Sequence, residues 1–224
     1  IDNDIVVYAG VDYEKILREA EREADIIVWD GGNNDIPFYH TDMHIVVADS
    51  HRPGHELTYH PGETNLRMAD VIIINKVDTA NPTNVATVRE NAKTLNPDAT
   101  IIEAASPITV DNPKLINGKK VLVVEDGPTL THGNMADGAG MIAAERLGAE
   151  EMVDPRPYAV GSIVKTFENY PHLGAVLPAL GYGKEQIREL EETINATPCD
   201  VVLIGTPIDL RRDLNLNKPA VRAK

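Results

Sequence analysis

The sequence has 224 residues, of which 42% are hydrophobic and 25% charged, enough apolar material for one large domain or two small ones. Its formal net charge of −14 excludes a general nucleic-acid-binding protein, because neutralising phosphates requires clustered Lys and Arg. Cys199 is the only cysteine, which rules out an intrachain disulfide and indicates a reducing, cytoplasmic location. No apolar run approaches the roughly 20 residues that span a bilayer, so no membrane partner is expected.

Short continuous runs of Val and Ile predict buried parallel strands. In chain order these runs are Ile5–Tyr8, Ile26–Trp29, Ile45–Ala48, Val71–Ile74, Thr100–Ile102, Val121–Val124 and Val201–Ile204. Amphipathic patterns between them predict helices at Tyr13–Ala24, Asn84–Leu95, Met141–Leu147 and Lys184–Ile194. This alternation predicts an α/β fold with a mostly parallel sheet in residues 1–107 and a smaller α/β segment in residues 118–224, joined through the proline-containing stretch between them.

The first predicted strand with polar residues at its carboxyl end is Ile26–Trp29, which runs into Asp30-Gly31-Gly32. In open α/β sheets ligands bind beyond the carboxyl ends of the strands. An acidic residue there is typical of a Walker B carboxylate that holds Mg²⁺, and the glycines allow backbone to approach a phosphate. A plain turn or helix cap is the alternative, so Asp30 is a candidate metal ligand, with Gly31 and Gly32 beside the nucleotide.

The strand Val71–Ile74 is followed by Asn75-Lys76-Val77-Asp78, which resembles the Asn-Lys-x-Asp motif of GTPases. In that family the Asp accepts hydrogen bonds from guanine, the Lys stem packs over the base and the Asn ties the loop together. The resemblance implies these roles for Asn75, Lys76 and Asp78, against the alternative of a solvated turn. The next strand leads to Ala104-Ala105-Ser106, which resembles the GTPase loop whose backbone reads the guanine carbonyl.

A phosphate-binding loop of the form Gly-x-x-x-x-Gly-Lys-Ser/Thr does not occur in the 224 residues. Either such a loop precedes Ile1, as the absence of an initiating methionine suggests, or the chain is not a working NTPase. We expect the first, and therefore a P-loop NTPase-like domain that is present here from its Walker B half onward.

The whole chain is similar to the archaeal and thermophile proteins called predicted GTPases, which are related to cyclic 2,3-diphosphoglycerate synthetase, an ATP-dependent ligase. The segments that carry the resemblance are Trp29–Asp35, His51–Glu56, Pro61–Asn65, Val124–Thr129, Asp154–Tyr158 and Gly205–Leu210. The resemblance implies GTP or ATP with Mg²⁺ as cofactors, and such proteins carry a P-loop before the region seen here.

His51, Arg52 and His55 follow the strand Ile45–Ala48 and form a second candidate group. Arg is suited to bidentate phosphate contacts and His can transfer a proton near neutral pH, so we assign them to a phosphorylated substrate or the transferring phosphoryl group. The i, i+4 spacing of the histidines also occurs in helical zinc pairs, but Pro53-Gly54 interrupts a helix. A solvated surface loop is the alternative.

A second anion site is predicted after the strand Val121–Val124. Thr129, Thr131 and His132 would donate from side chains, while Gly138 and Gly140 open a helix whose N-terminus offers backbone N–H groups. A capped loop rich in turn residues is the alternative.

Three functions stay open from the sequence. The first is a Mg²⁺-dependent GTP- or ATP-hydrolysing protein, and the second an ATP-dependent ligase or kinase that acts on a small phosphorylated acid. The third is a non-catalytic nucleotide-binding or scaffold protein, favoured by the missing P-loop. A nucleotide and a small phosphorylated substrate are the expected partners, together with a possible homo-oligomer.

Overall fold

A computed structural model of the chain describes residues 5–32, 35–131, 135–136, 138–181 and 183–224. The chain is α/β with mostly parallel sheets, as predicted, and is consistent with a P-loop-like nucleotide-binding fold. It divides into two compact units, unit 1 (Ile1–Pro107) and unit 2 (Ile108–Lys224). Within the described ranges, no helix is long and apolar enough to cross a membrane.

Unit 1 is a three-stranded parallel sheet with order β1-β2-β3, flanked by helices. Its elements are α1 (Tyr13–Glu23), β1 (Ile45–Asp49), α2 (His55–Thr58), α3 (Gly62–Met68), β2 (Val71–Asn75), α4 (Pro82–Leu95) and β3 (Thr100–Glu103). The register places Ile45 beside Val71 and Val71 beside Thr100. All three strands therefore end at the same edge of the sheet, where Asp49, Asn75 and Glu103 lie.

The core of unit 1 forms between β2 and the helices beside it. Ile72 and Ile74 of β2 are fully buried, and Val88 of α4 lies in the same apolar cluster. α4 begins where the sequence favours it, because the Asn81 side chain accepts a hydrogen bond from Thr83 N–H and Pro82 occupies the first helical position. Asn96 then donates from Nδ2 to three carbonyls at the end of α3, which fixes that helix end to the core.

The prediction of strands at Ile5–Tyr8 and Ile26–Trp29 is wrong, because the structure has no strand in either segment. A strand exists through ladder hydrogen bonds to a neighbouring strand, and the three-stranded sheet of unit 1 contains only β1, β2 and β3 among the described residues. Their apolar side chains stay largely exposed, Val7 and Val28 at 82% each. Trp29 instead contacts Phe38 edge to face, with ring centroids 5.5 Å apart.

Unit 2 is a five-stranded parallel sheet that helices cover on both faces. Its elements are β4 (Lys120–Asp126), α5 (Gly127–Thr131), α6 (Ala139–Arg146), β5 (Glu151–Met152), α7 (Ser162–Asn169), β6 (Val176–Ala179), α8 (Lys184–Ala196), β7 (Val201–Gly205) and β8 (Ala220–Arg222). β4 pairs with β7 on one side and with both β5 and β6 on the other, and β8 borders β7.

Alternate residues of the central strands point into two separate cores. Val121 and Val123 of β4 pack with residues of α6, whereas Leu122 and Val124 pack with residues of α7 and α8. This period of two is what a strand buried on both faces requires, and it explains why β4 and β7 read as continuous apolar runs in the sequence. The helix after β4 therefore leaves to one face of the sheet, and the helix after β6 leaves to the other.

Candidate functional site

The carboxyl ends of β1 and β2 bring two polar loops together in unit 1. Asp49, the last residue of β1, lies in register with Asn75, the last residue of β2. The buried Ser50 hydroxyl donates to the Asn75 carbonyl oxygen and joins the two loops. Lys76 follows with φ of 61°, a left-handed conformation that non-glycine residues adopt mainly at constrained sites.

Asp49 is the electrostatic centre of this edge. Its Oδ2 accepts a hydrogen bond from Lys76 Nζ at 2.9 Å and lies 3.6 Å from Arg52 Nε, and its Oδ1 accepts one from His51 N–H at 3.0 Å. Burial raises the pKa of the Asp49 carboxyl, but these donors and the two positive charges outweigh burial and hold that pKa below its usual range. Asp49 is therefore ionised near neutral pH and orients both cations.

The Asn75–Asp78 loop and the loop after β3 are bound to each other. Val77 N–H donates to the Ala104 carbonyl at 3.2 Å, and Ala104 N–H donates to the Ile74 carbonyl at 2.9 Å. Ser106 N–H donates to Asp78 Oδ1 at 2.9 Å. The structure thus brings Asp78 and Ala104–Ser106 together, as the GTPase resemblance implies, with the Asp78 carboxylate held by one oxygen.

The Lys76 ammonium has a partner within unit 1, and the packing of the Lys76 stem over a base stays a prediction. The ammonium is paired with Asp49, a residue of the neighbouring strand, and is 37% exposed. The positive φ of Lys76 and the hydrogen bonds that Thr79 and Ala80 N–H donate to its carbonyl at 3.1 Å define a tight turn after β2. The cation is therefore fixed at the sheet edge before any ligand is considered.

The three residues His51, Arg52 and His55 do not all face the same group. His51 Nε2 lies 2.8 Å from Thr79 Oγ1, so His51 contacts the turn after β2. Arg52 faces Asp49, as described above. His55 opens α2, and its ring lies 4.6 Å from that of Tyr59. His51 and Arg52 therefore belong to the edge of β1 and β2, while no described contact joins His55 to Asp49 or Lys76.

Asp30, Gly31 and Gly32 lie in a segment without regular structure. Asp30 is exposed, and Gly32 N–H donates to the Asp35 carboxylate at 2.8 Å. The Asp35 carbonyl in turn accepts a hydrogen bond from Asn65 Nδ2 at 2.7 Å, which ties this turn to α3. Across the described part of the chain, no three His, Cys, Asp or Glu side chains group as a protein-only metal site would require.

At the predicted second anion site of unit 2, a carboxylate of the protein lies where an anion was expected. Glu125 at the end of β4 is 2% exposed and accepts a hydrogen bond from Met141 N–H, in the first turn of α6, at 2.9 Å. A Cβ at Gly138 would lie 2.7 Å from Glu125 Oε2, so a larger residue there would require the Glu125 carboxylate to shift. A Cβ at Gly140 would lie 2.8 Å from Val123 Cγ1 and 3.0 Å from Glu125 Oε1.

The two threonines of that predicted site also have partners within the protein. Thr129 donates from both its N–H and its hydroxyl to Asp126 Oδ2, at 3.2 and 2.9 Å. The Thr131 hydroxyl donates to the Gly127 carbonyl at 2.9 Å. His132 lies outside the described residues. These bonds match the capped-loop alternative, and anion binding at this edge stays a prediction.

Fold and site together define an α/β protein with a P-loop-like nucleotide-binding fold, and comparison with known proteins agrees. Residues 7–105 match the family described as cyclic 2,3-diphosphoglycerate synthetase, P-loop domain. Arginine synthetase ArcE of Thermococcus kodakarensis is 70% identical over 224 residues, which are 100% of this chain and 50% of that protein. Cyclic 2,3-diphosphoglycerate synthetase of the same organism is 30% identical over 101 residues, 45% of this chain and 23% of that protein.

The chain spans about half the length of the arginine synthetase that it matches throughout. Both relatives are named synthetases, so the comparisons fit the predicted ATP-dependent ligase better than the predicted GTPase, and GTP hydrolysis finds no support in them. The expectation that a P-loop precedes Ile1 stays a prediction. Asp49 is not among the residues predicted from the sequence, although it follows a Val- and Ile-rich strand just as Asp30 follows Ile26–Trp29.

Proposed function

We propose that the chain is the nucleotide-binding part of an ATP-dependent synthetase that forms arginine. The 70% identity to a protein named arginine synthetase, over every residue of this chain, supports the reaction. The match of residues 7–105 to a P-loop domain of a synthetase family supports unit 1 as the nucleotide module. In place of the predicted phosphorylated acid, we propose arginine as the small molecule of the reaction, and as its product, because the more similar relative is named for arginine.

We assign nucleotide binding to unit 1 because the loops after β1, β2 and β3 are hydrogen-bonded to one another at one edge of the sheet. Asp78 is held by Ser106 N–H through Oδ1, and Oδ2 accepts no hydrogen bond from a described residue. That oxygen is available to accept an N–H of a purine base. We assign Asp78 and the loop after β3 to the base end of the nucleotide, and no phosphate-binding loop of the form Gly-x-x-x-x-Gly-Lys-Ser/Thr occurs in the 224 residues.

The residues of unit 1 fit a Mg²⁺ ion that is shared with nucleotide phosphates. Mg²⁺ is usually bound through one or two carboxylates plus phosphates and water, so it needs no cluster of three protein ligands. The exposed Asp30 carboxylate remains the proposed ligand, with Gly31 and Gly32 beside it. Bound there, Mg²⁺ would neutralise charge on the phosphate oxygens during phosphoryl transfer.

Arg52 and His51 are the residues proposed to act on the transferring group. The guanidinium of an arginine such as Arg52 can bind two phosphoryl oxygens at once through parallel N–H donors. The Asp49 carboxylate holds Arg52 and Lys76 at the sheet edge, which reduces the reorganisation needed when an anion binds. His51, against Thr79, could move a proton at Nε2, and His55 stays a candidate without a described link to this group.

Isothermal titration of the protein with ATP and with GTP tests this proposal. We expect ATP to bind, and we expect Asp78→Asn to weaken binding by about tenfold or more, the loss that one hydrogen bond to a charged group produces. The control is Asp98→Asn, at an exposed carboxylate that accepts no hydrogen bond from a described residue. Unchanged nucleotide affinity in Asp78→Asn would show that the base does not bind at this edge.

Two alternatives give different results in the same assays. A GTPase would prefer GTP and hydrolyse it at a rate that arginine does not change, whereas a synthetase that forms arginine should couple nucleotide turnover to that reaction, so that added arginine, as the product, slows ATP consumption. A non-catalytic scaffold, which the missing P-loop motif favours, would bind without turnover. We also propose a cytoplasmic location, suggested by the single cysteine, which cell fractionation would test. Self-association is a further proposal, which analytical sedimentation would test.

A further inference from the structure

A groove in unit 2 lies beside the carboxyl ends of β6 and β7. Its volume is about 430 Å³, and its lining residues are Lys184, Ile187, Ile208 and Asp213. Lys184 and Ile187 belong to the first turn of α8, which follows β6, whereas Ile208 and Asp213 follow β7. The volume falls within the range of about 300–1,000 Å³ that is typical of small-molecule sites.

The two charged residues of this groove form no ion pair with any residue that the structure describes. Lys184 and Asp213 line the same groove without forming an ion pair, and neither side chain bonds to any residue that the structure describes. The neighbouring Arg211 differs, since it pairs with Asp209 at 2.7 Å and with Asp111 at 2.5 Å. Opposite charges that face a groove unpaired, with apolar side chains beside them, complement a ligand with opposite charges on an aliphatic chain.

We propose that this groove binds arginine, with its carboxylate at Lys184 and its guanidinium at Asp213. Ile187 and Ile208 would contact the methylene chain between the two charged ends. Lys184 also opens the 13-residue helix α8, whose N-terminus favours a carboxylate. This inference rests on the proposed function for the choice of arginine, and it assigns the binding of that small molecule to unit 2.

The matches to known proteins also favour a substrate role for unit 2. The nucleotide-domain match stops at residue 105, three residues before unit 2 begins. The identity to the arginine synthetase continues through all 224 residues. Unit 2 is therefore shared with a protein named for arginine and lies outside the segment matched for nucleotide binding.

Titration with arginine and two truncated analogues, in the absence of nucleotide, tests the orientation as well as the site. Agmatine lacks the carboxylate of arginine, and norvaline lacks the guanidinium. Lys184→Ala should weaken arginine binding by about tenfold or more and leave agmatine binding unchanged. Asp213→Asn should weaken arginine and agmatine binding by a similar factor and leave norvaline binding unchanged.

Matched controls are Lys114→Ala and Glu192→Gln, which remove exposed charges elsewhere in unit 2 and should change no affinity. If arginine does not bind, or if Lys184→Ala and Asp213→Asn bind it like the unaltered protein, the groove is not its site. Equal weakening of arginine and agmatine by Lys184→Ala would overturn the assigned orientation. Nucleotide titration of the same samples separates the two proposals, because ATP binding that depends on Asp78 can persist when the groove assignment fails.

Discussion

Replacing Asp49 with asparagine removes the negative charge that holds Lys76 and Arg52 at the end of β1. The asparagine is nearly the same size, so packing around Ala48 and Ser50 is preserved and the change is mainly electrostatic. Net contributions of hydrogen bonds to charged groups are about 1.5–3 kcal/mol, but exposed ion pairs contribute only about 0–1 kcal/mol. Asp49 and Lys76 are 26% and 37% exposed, which places the pair between these limits.

We therefore expect Asp49→Asn to reduce the free energy of unfolding of unit 1 by about 1.5 kcal/mol at pH 7. The effect should depend on pH, because the folded-state pKa of Asp49 is lowered. A lowered pKa stabilises the fold above the unfolded-state pKa, and that stabilisation is lost as pH falls through the folded-state value. The difference between the variant and the unaltered protein should thus be full at neutral pH and shrink below pH 4, the region of an ordinary Asp pKa.

Native-state hydrogen exchange of the β1 and β2 amides gives this free energy for the region concerned. A double-mutant cycle with Lys76→Met isolates the pair, and we expect a coupling energy of about 1 kcal/mol. Asp98→Asn serves as the charge-matched control in unit 1 and should leave exchange unchanged. A coupling energy below about 0.3 kcal/mol would mean that Asp49 does not hold Lys76 in solution, and the description of a prearranged cationic edge would be wrong.

Two further predictions concern unit 2. Gly205→Ala should reduce the free energy of unfolding by about 1–3 kcal/mol in urea denaturation, because the new Cβ would lie 2.6 Å from Glu125 Oε2 and 3.0 Å from Gly140 N. The control is Gly62→Ala in unit 1, whose new Cβ meets nothing within 4 Å and should change stability little. The second prediction concerns Asp209, whose pKa is lowered from 3.8 to about 2 by hydrogen bonding to Arg211. The difference in the free energy of unfolding between the unaltered protein and Asp209→Asn should therefore persist at pH 4 and disappear as pH falls through about 2. A difference that does not change with pH would contradict this.

The parts of the fold that the sequence predicted are those whose signal is local and apolar. β1, β2, β3, β4 and β7 follow the predicted apolar runs, and their predicted bounds agree within two residues. Burial holds for β4 and β7, whereas β1 and β3 keep exposed apolar residues such as Val47 and Ile102. β6 was missed because its four residues include a proline, although Pro178 lies in register with Glu125 and the strand is buried throughout. β8 has only three residues, too few to give a periodic pattern.

The two strands that were predicted wrongly show where apolar composition fails as a predictor. Ile5–Tyr8 and Ile26–Trp29 have the apolar composition of buried strands, but composition does not supply a pairing partner. Strand formation depends on a neighbour that is distant in sequence, and local residues do not specify it. The prediction that Asp30 lies at a sheet edge depended on one of these strands, and Asp30 is not observed at such an edge. The prediction for Asp78 depended on β2, and the Asp78 carboxylate accepts a hydrogen bond from Ser106 N–H.

An acidic residue lies at the C-terminal edge of each sheet, Asp49 in unit 1 and Glu125 in unit 2. Its partners differ between the units, and this difference bears on which unit suits a nucleotide. In unit 1, Asp49 orients Lys76 and Arg52, so the edge presents held cations. In unit 2, Glu125 lies buried against the first turn of α6 and occupies the backbone donor of Met141. A phosphate would have to displace a carboxylate in unit 2, whereas in unit 1 it would meet positive charges already in place. This contrast supports the proposal that the nucleotide binds at the edge of β1 and β2, and the proposal that the groove between α8 and the residues after β7 binds a ligand with both charges.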